Sequence, residues 1–160
     1  MPSPTTEPQR RASPRRRARE LVLQGLYQRQ LVGSSAADVR AQLAESHGYA
    51  RADQAFFDEL WEGVVPRFDT LVASIAPLLD RAVTELSPIE RAILAIGAWE
   101  LAHRPDIPYR VVINEAVELA KSFGATDGHK YVNGVLDKHA AAVRADEIAT
   151  LARERGAGRV

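Results

Sequence analysis

The 160-residue chain contains no cysteine. Disulfide cross-links, thiolate catalysis and cysteine-based zinc sites are thereby excluded, which suits a reducing, cytoplasmic location. No apolar run approaches the roughly 20 residues a membrane helix needs, so no membrane association is expected. The first residues are polar and carry no apolar h-region, so a secretory signal is not expected either. Nowhere do apolar and polar residues alternate with period two through a β-branched stretch, and no sheet is expected. Net charge is also missing, at a formal +0, but that balance conceals an asymmetry. Residues 1–19 hold Arg10, Arg11, Arg15, Arg16, Arg17 and Arg19 against the single acid Glu7, a net +5. The remaining 15 basic and 20 acidic residues give −5. An acidic body with a cationic arm is suited to polyanions, although many basic tails are simply solvated.

What is present is helical punctuation. The length suits one domain with a core of its own. Residues 1–13, rich in Pro, Ser, Thr and Gln, read as a disordered head. Ser13-Pro14 then opens a helix from about Arg15 to Leu31, ending near Gly33. Ala18, Leu21, Val22, Gly25 and Leu26 form its core stripe. Leu23, Tyr27 and Leu31 fall on a second face, with Arg16 on the same side; another helix of this chain or a partner must cover it. Arginines in the first turn oppose the helix dipole, on the order of 0.3–1 kcal/mol each, so Arg15 to Arg19 are expected to order only on a phosphate ligand.

Ser35 with Asp38 caps a short helix closed by His47-Gly48. Asp53 caps a longer one carrying Phe56, Phe57, Leu60, Trp61 and Val64, which Pro66 must kink or split. Phe68, Leu71, Val72 and Ile75 continue the period to Pro77, and residues 78–86 form a connector. Ser87-Pro88-Ile89-Glu90 reads as a capping box. The helix it opens is apolar nearly all round as far as Arg104, where Pro105 stops it, and such a helix belongs at the centre of a domain. From about Tyr109 to Phe123 an amphipathic helix follows, ended by Gly124. Thr126 or Asp127 caps the next, whose buried stripe is Val132, Val135, Leu136, His139 and Val143. After Arg144 the pattern weakens and dissolves at Gly156 and Gly158. The expected fold is all-α, a compact bundle of about seven helices in two small subdomains (14–80 and 81–143), with a weakly helical to disordered tail over 144–160.

The chemistry is that of binding. His47, His103, His129 and His139 have no ligand-type partner at metal-site spacing, so no metal is expected, and His139 reads as a hydrogen-bonded core residue. Gly124 to Lys130 lacks the spacing, the Ser or Thr and the preceding strand of a phosphate loop; no nucleophile elbow or dinucleotide fingerprint occurs. Neither catalysis nor a cofactor is expected. The turn from Ser122 to Tyr131 does combine helix N-terminal amides, the cations Lys121, His129 and Lys130, and an aromatic at the margin of the apolar face. Tyr131 either stacks on an unpaired base, worth roughly 1–3 kcal/mol, or packs at the edge of the core.

Three segments resemble the NusB family of bacterial transcription antitermination factors. They are Arg15-Arg16-Arg17-Ala18-Arg19-Glu20 with Leu26-Tyr27, then Glu90-Arg91-Ala92-Ile93-Leu94 with Trp99-Glu100-Leu101, and above all residues 107–124 with His129-Lys130-Tyr131-Val132-Asn133-Gly134-Val135-Leu136-Asp137-Lys138. The resemblance spans about residues 13–143. It implies an all-helical fold of two small subdomains, pairing with the ribosomal protein NusE, and binding of the pair to the boxA element of nascent rRNA leaders. That assembly helps RNA polymerase resist termination. By the same resemblance Arg15, Arg16, Arg17 and Arg19 match the arginine-rich RNA-binding motif, and Lys121, Asp127, Lys130 and Tyr131 a second RNA-facing region. Tyr27 and Glu90 match positions on the NusE side. Tyr131 stands where relatives also have Phe, an exchange that preserves stacking. The alternatives are the related helical domain of some rRNA cytosine methyltransferases, set aside because no cofactor-binding domain is seen, and a helical interaction module without RNA affinity.

Overall fold

The computed structural model describes residues 12–157, which fold into eight α-helices with four short 3-10 turns and, among the described residues, no strand. Most of the head expected to be disordered, residues 1–11, lies outside the described residues.

Local hydrogen bonding sets four of the eight helix starts. Helix α1 (Pro14–Val32) begins at Ser13, whose Oγ accepts from the Arg16 amide at 3.1 Å, and ends at Gly33, which takes the left-handed φ of 73°. That φ is nearly free for glycine and costly for other residues. Helix α2 (Ala36–Ala44) is capped by Ser35, and α3 (Gln54–Val64) by Asp53, whose carboxylate accepts from the Phe56 amide at 3.0 Å. Pro66 does split the next stretch. A 3-10 turn over Val65–Arg67 separates α3 from α4 (Phe68–Ile75). The connector then makes 3-10 turns at Ala76–Leu78 and Val83–Glu85 before α5 (Pro88–His103).

Helix α5 is the hub. Every residue from Ala92 to Leu101 is buried, and the helix packs against α1, α3, α4, α6 (Tyr109–Phe123) and α7 (Gly128–Val143). Phe57, Leu94, Ile113 and Leu136 are among the fully buried side chains around it, each contributing about 1.5–3 kcal/mol by leaving water. Contact between α3 and α5 is close enough to require glycine. A Cβ on Gly63 would lie 2.2 Å from the Trp99 ring.

Four local expectations are corrected. Gly48 does not close α2 in a left-handed conformation: at φ −68° it caps the 3-10 turn Tyr49–Arg51. Only half of the capping box at Ser87 forms. Ser87 Oγ accepts from the Glu90 amide at 3.1 Å, but the Glu90 carboxylate lies over Gly128, 3.5 Å from where a Cβ would stand. Asp127 occupies the N-cap of α7 at φ 68° and makes no side-chain cap bond, because its carboxylate is turned toward Lys130, 3.4 Å away.

The fourth correction is the tail. Arg144, only 6% exposed, donates to the carbonyls of Leu101 (2.7 Å), Arg104 (2.8 Å) and Ile107 (3.0 Å). Carbonyls at a helix end have no partner within their own helix, so this guanidinium satisfies the end of α5 and the turn after it. A further helix, α8 (Ala145–Ala157), follows and runs through Gly156, with Ile148 and Leu151 resting on the core edge. The turn itself is closed by Arg104, whose guanidinium makes two 2.9 Å bonds to Asp106. That bond holds the Asp106 carboxyl down at about 2.

Candidate nucleic-acid and partner surfaces

The four arginines of the α1 motif meet four different environments. Arg19 is 3% exposed and forms a bidentate pair with Glu100 of α5, at 2.7 and 3.0 Å, with Glu115 of α6 3.7 Å away. Arg16 makes a second bidentate pair, to Glu115, at 2.9 and 3.0 Å; this bond raises its pKa further. Arg15 is exposed, 3.8 Å from the carboxylate of Asp53 and over the ring of Phe56 at 5.1 Å. Arg17 is partly exposed and, among the described residues, has no ion pair. Acids from the α3 cap, α6 and α5 lie beside Arg15, Arg16 and Arg19 and offset part of the charge that opposes the helix dipole. Arg19 in particular is a strut between three helices, since a buried pair of this kind is costly to break from one side, about 3–5 kcal/mol.

The second cationic region is built differently. Lys121, at the end of α6, is about half exposed and 3.6 Å from Glu118. Lys130 and Asp127 are both well exposed at the start of α7. Exposed pairs of this kind contribute little to stability and leave the cation accessible. Tyr131 is half-buried, with the guanidinium of Arg81 over its ring at 4.0 Å from the centroid. Asp80 accepts from Arg81 Nε at 3.0 Å, a bond that lowers the Asp80 pKa and raises that of Arg81. The Tyr131 hydroxyl is buried beside the Asp80 carboxylate but makes no hydrogen bond of normal geometry among the described residues; burial, followed by the Asp80 charge, pushes its pKa up. The core-edge reading of Tyr131 is met on one side of the ring, which packs on the core, and the other side faces Arg81. The sequence reading passed over Asp80 and Arg81. They lie in a connector without periodicity, and only the tertiary fold brings them to α7.

The two regions share one helix. Glu115, Glu118 and Lys121 follow one another at i, i+3 steps along α6, so the acid that holds Arg16 and the cation of the second region lie on the same face.

At the other end of α1 the second face divides. Leu23 is 1% exposed and covered by the chain itself, whereas Tyr27, Leu31 and Val32 are 39%, 57% and 73% exposed. Gln30 ties this end to the first turn of α5 by donating to the Pro88 carbonyl at 2.9 Å, while the carboxylate of partly buried Glu90 in that turn lies over Gly128 of α7. Among the described residues no group of three or more His, Asp or Glu side chains could hold a metal ion. His139 is 8% exposed; contrary to expectation its ring makes no hydrogen bond among the described residues, and burial lowers its pKa.

The sequence pattern of the NusB family matches residues 16–141. The transcription antitermination protein NusB of Paraburkholderia phymatum is 54% identical over 143 residues, 89% of this chain and 99% of that protein. The structure of T. maritima NusB superposes with a TM-score of 0.71 at 27% identity, over 80% of this chain and 91% of that one. A structure of the antitermination factors NusB and NusE in complex with dsRNA superposes with a TM-score of 0.68, over 79% of this chain and 96% of that one; at 22% identity it shares the fold. The chain belongs to the NusB family.

Proposed function

We propose that this protein is a cytoplasmic transcription antitermination factor that pairs with NusE and binds the single-stranded boxA element of nascent rRNA transcripts, within the complex that lets RNA polymerase resist termination. The observation that carries the reading is the shape of α1 within a matched family. One end presents cations, the other offers an apolar face that the described residues leave open, and the basic turn of α7 adds a second cationic region at the Glu90 end of α5. Arg15 and Arg17 supply phosphate contacts, while Arg16 and Arg19 hold α1 against α6 and α5 so that those contacts are presented. Lys121 and Lys130 add charge, Asp127 orients Lys130, and Tyr131 provides the aromatic surface. Tyr27, with Leu31 and Val32 around it, anchors NusE, and Glu90 borders that contact.

Single-stranded RNA is favoured because an A-form duplex hides its base edges in a deep, narrow groove, and a stacking side chain needs an unpaired base. Phosphate contacts should supply affinity that falls with salt, and the partner with the stacked base should supply specificity. Titration of the protein, with and without NusE, into labelled boxA oligonucleotide tests the reading. The expected result is a ternary complex tighter than either binary pair. Equal binding of a scrambled oligonucleotide defeats the specific reading. Because the related NusB–NusE structure contains dsRNA, a duplex arm belongs in the titration, and tighter binding of the duplex defeats the single-strand assignment.

A further inference from the structure

Helix α7 carries Lys130, Gly134 and Lys138 at i, i+4 and i+8, which places them in one line on its surface. All three are exposed. Glycine within a helix costs roughly 0.5–1 kcal/mol relative to alanine, and close packing is the usual reason to keep it. Packing does not explain Gly134, because a Cβ there would meet nothing within 4 Å. The bare stretch of backbone instead forms part of a cleft of about 150 Å³, walled by Asp80, Tyr131, Lys130 and Lys138. Lys130 is loosely paired with Asp127, and Lys138 has no ion pair among the described residues.

Arg81 lies beside this cleft, against two of its lining residues, Tyr131 and Asp80. Its guanidinium covers the Tyr131 ring at 4.0 Å, and its Nε is held by Asp80 at 3.0 Å. Among the described residues its two terminal nitrogens make no hydrogen bond, and the side chain is 39% exposed. A guanidinium stacked on an aromatic ring leaves a second flat, cationic face, which is a surface that an unpaired base can stack on. It also means that a base cannot reach this face of Tyr131 directly while Arg81 is in place.

We infer that this cleft is a nucleotide subsite: one unpaired base stacks on the outer face of Arg81, backed by Tyr131, and its phosphodiester lies over Gly134 between Lys130 and Lys138. The inference rests on the RNA-binding reading above and extends it, from the turn at Lys121 to Tyr131, along α7 to Lys138 and across to Arg81. Asp80 fits the same scheme. Its carboxylate, on the wall of the same cleft, accepts from Arg81 Nε at 3.0 Å and holds the guanidinium over the ring.

Four variants test it, with binding of the NusE-paired protein to labelled boxA oligonucleotide as the readout and thermal unfolding as the control. Arg81→Ala should weaken binding about tenfold, within the range for losing one stacked base. Arg81→Lys keeps the charge without the plane and should recover the salt dependence but little of the affinity. Lys138→Ala should flatten the plot of log affinity against log salt by about 0.7, the value for one phosphate contact on a single strand. Gly134→Ala is the decisive variant, because it should raise the melting temperature yet weaken binding severalfold by filling the phosphate track. If wild-type protein binds no RNA, the proposed function fails. If wild type binds while Arg81→Ala and Gly134→Ala bind equally well, the subsite alone is overturned.

Discussion

Arg19 and Lys130 are both cations matched to RNA-facing positions, yet Arg19 is 3% exposed and the Lys130 side chain is 73% exposed. At the start of α1 two of the four charges are turned inward. Arg16 and Arg19 are held by Glu115 and Glu100, and their main effect is to fix one helix against two others. At the start of α7 the cations face water, their acidic neighbours are exposed, and little of the fold depends on them. A basic motif can therefore serve an RNA surface in two ways: by touching the ligand or by holding the helix from which other residues touch it. Substitution data pooled over such a motif would confuse the two.

The comparison is broken most directly at Arg19. Arg19→Ala leaves Glu100 buried and unpaired and should cost about 3–5 kcal/mol in urea denaturation; a loss below 1 kcal/mol would mean that the pair is not the strut described. Next in size is Tyr27→Asp, which should weaken NusE binding by about 2 kcal/mol, the scale of an aromatic anchor, while leaving the unfolding transition unchanged. Tyr131→Phe removes a buried hydroxyl that makes no hydrogen bond among the described residues. It should leave RNA binding intact and stability equal or higher by up to about 1 kcal/mol, and a clear destabilisation would show that the hydroxyl is bonded in solution. Arg17→Ala should change stability by no more than about 0.5 kcal/mol and lower the salt slope of RNA binding by about 0.7. An unchanged slope would take Arg17 out of the RNA contact.

A last, smaller effect concerns pH. Burial lowers the His139 pKa below its unfolded value of about 6.5, so the unfolded chain binds more protons as the medium acidifies. Stability tied to this group is fully present above about pH 6.5 and declines as pH falls below it. Melting temperatures between pH 5 and 7.5 should show that decline in wild type and a flatter profile in His139→Leu.

Much of this protein is legible in its sequence because much of it is local. Ser13, Ser35, Asp53 and Ser87 mark helix starts by bonding an amide three residues on, a contact contained within a few letters. Pro66 splits a helix for equally local reasons. The apolar circumference of α5 identifies the hub, since nothing but burial suits such a helix. Composition and periodicity likewise determined an all-α chain with an acidic body, and the family motifs determined which residues to test. Tertiary structure decided which arginines are accessible, because α5 and α6 bring Glu100 and Glu115 to a buried Arg19 and pair no acid with Arg17 among the described residues. It also turned Arg144 from the start of a fading tail into the anchor of α5, and brought Arg81 onto Tyr131. Each of these is a side-chain contact between segments far apart in the chain, and no local pattern of residues encodes such a meeting.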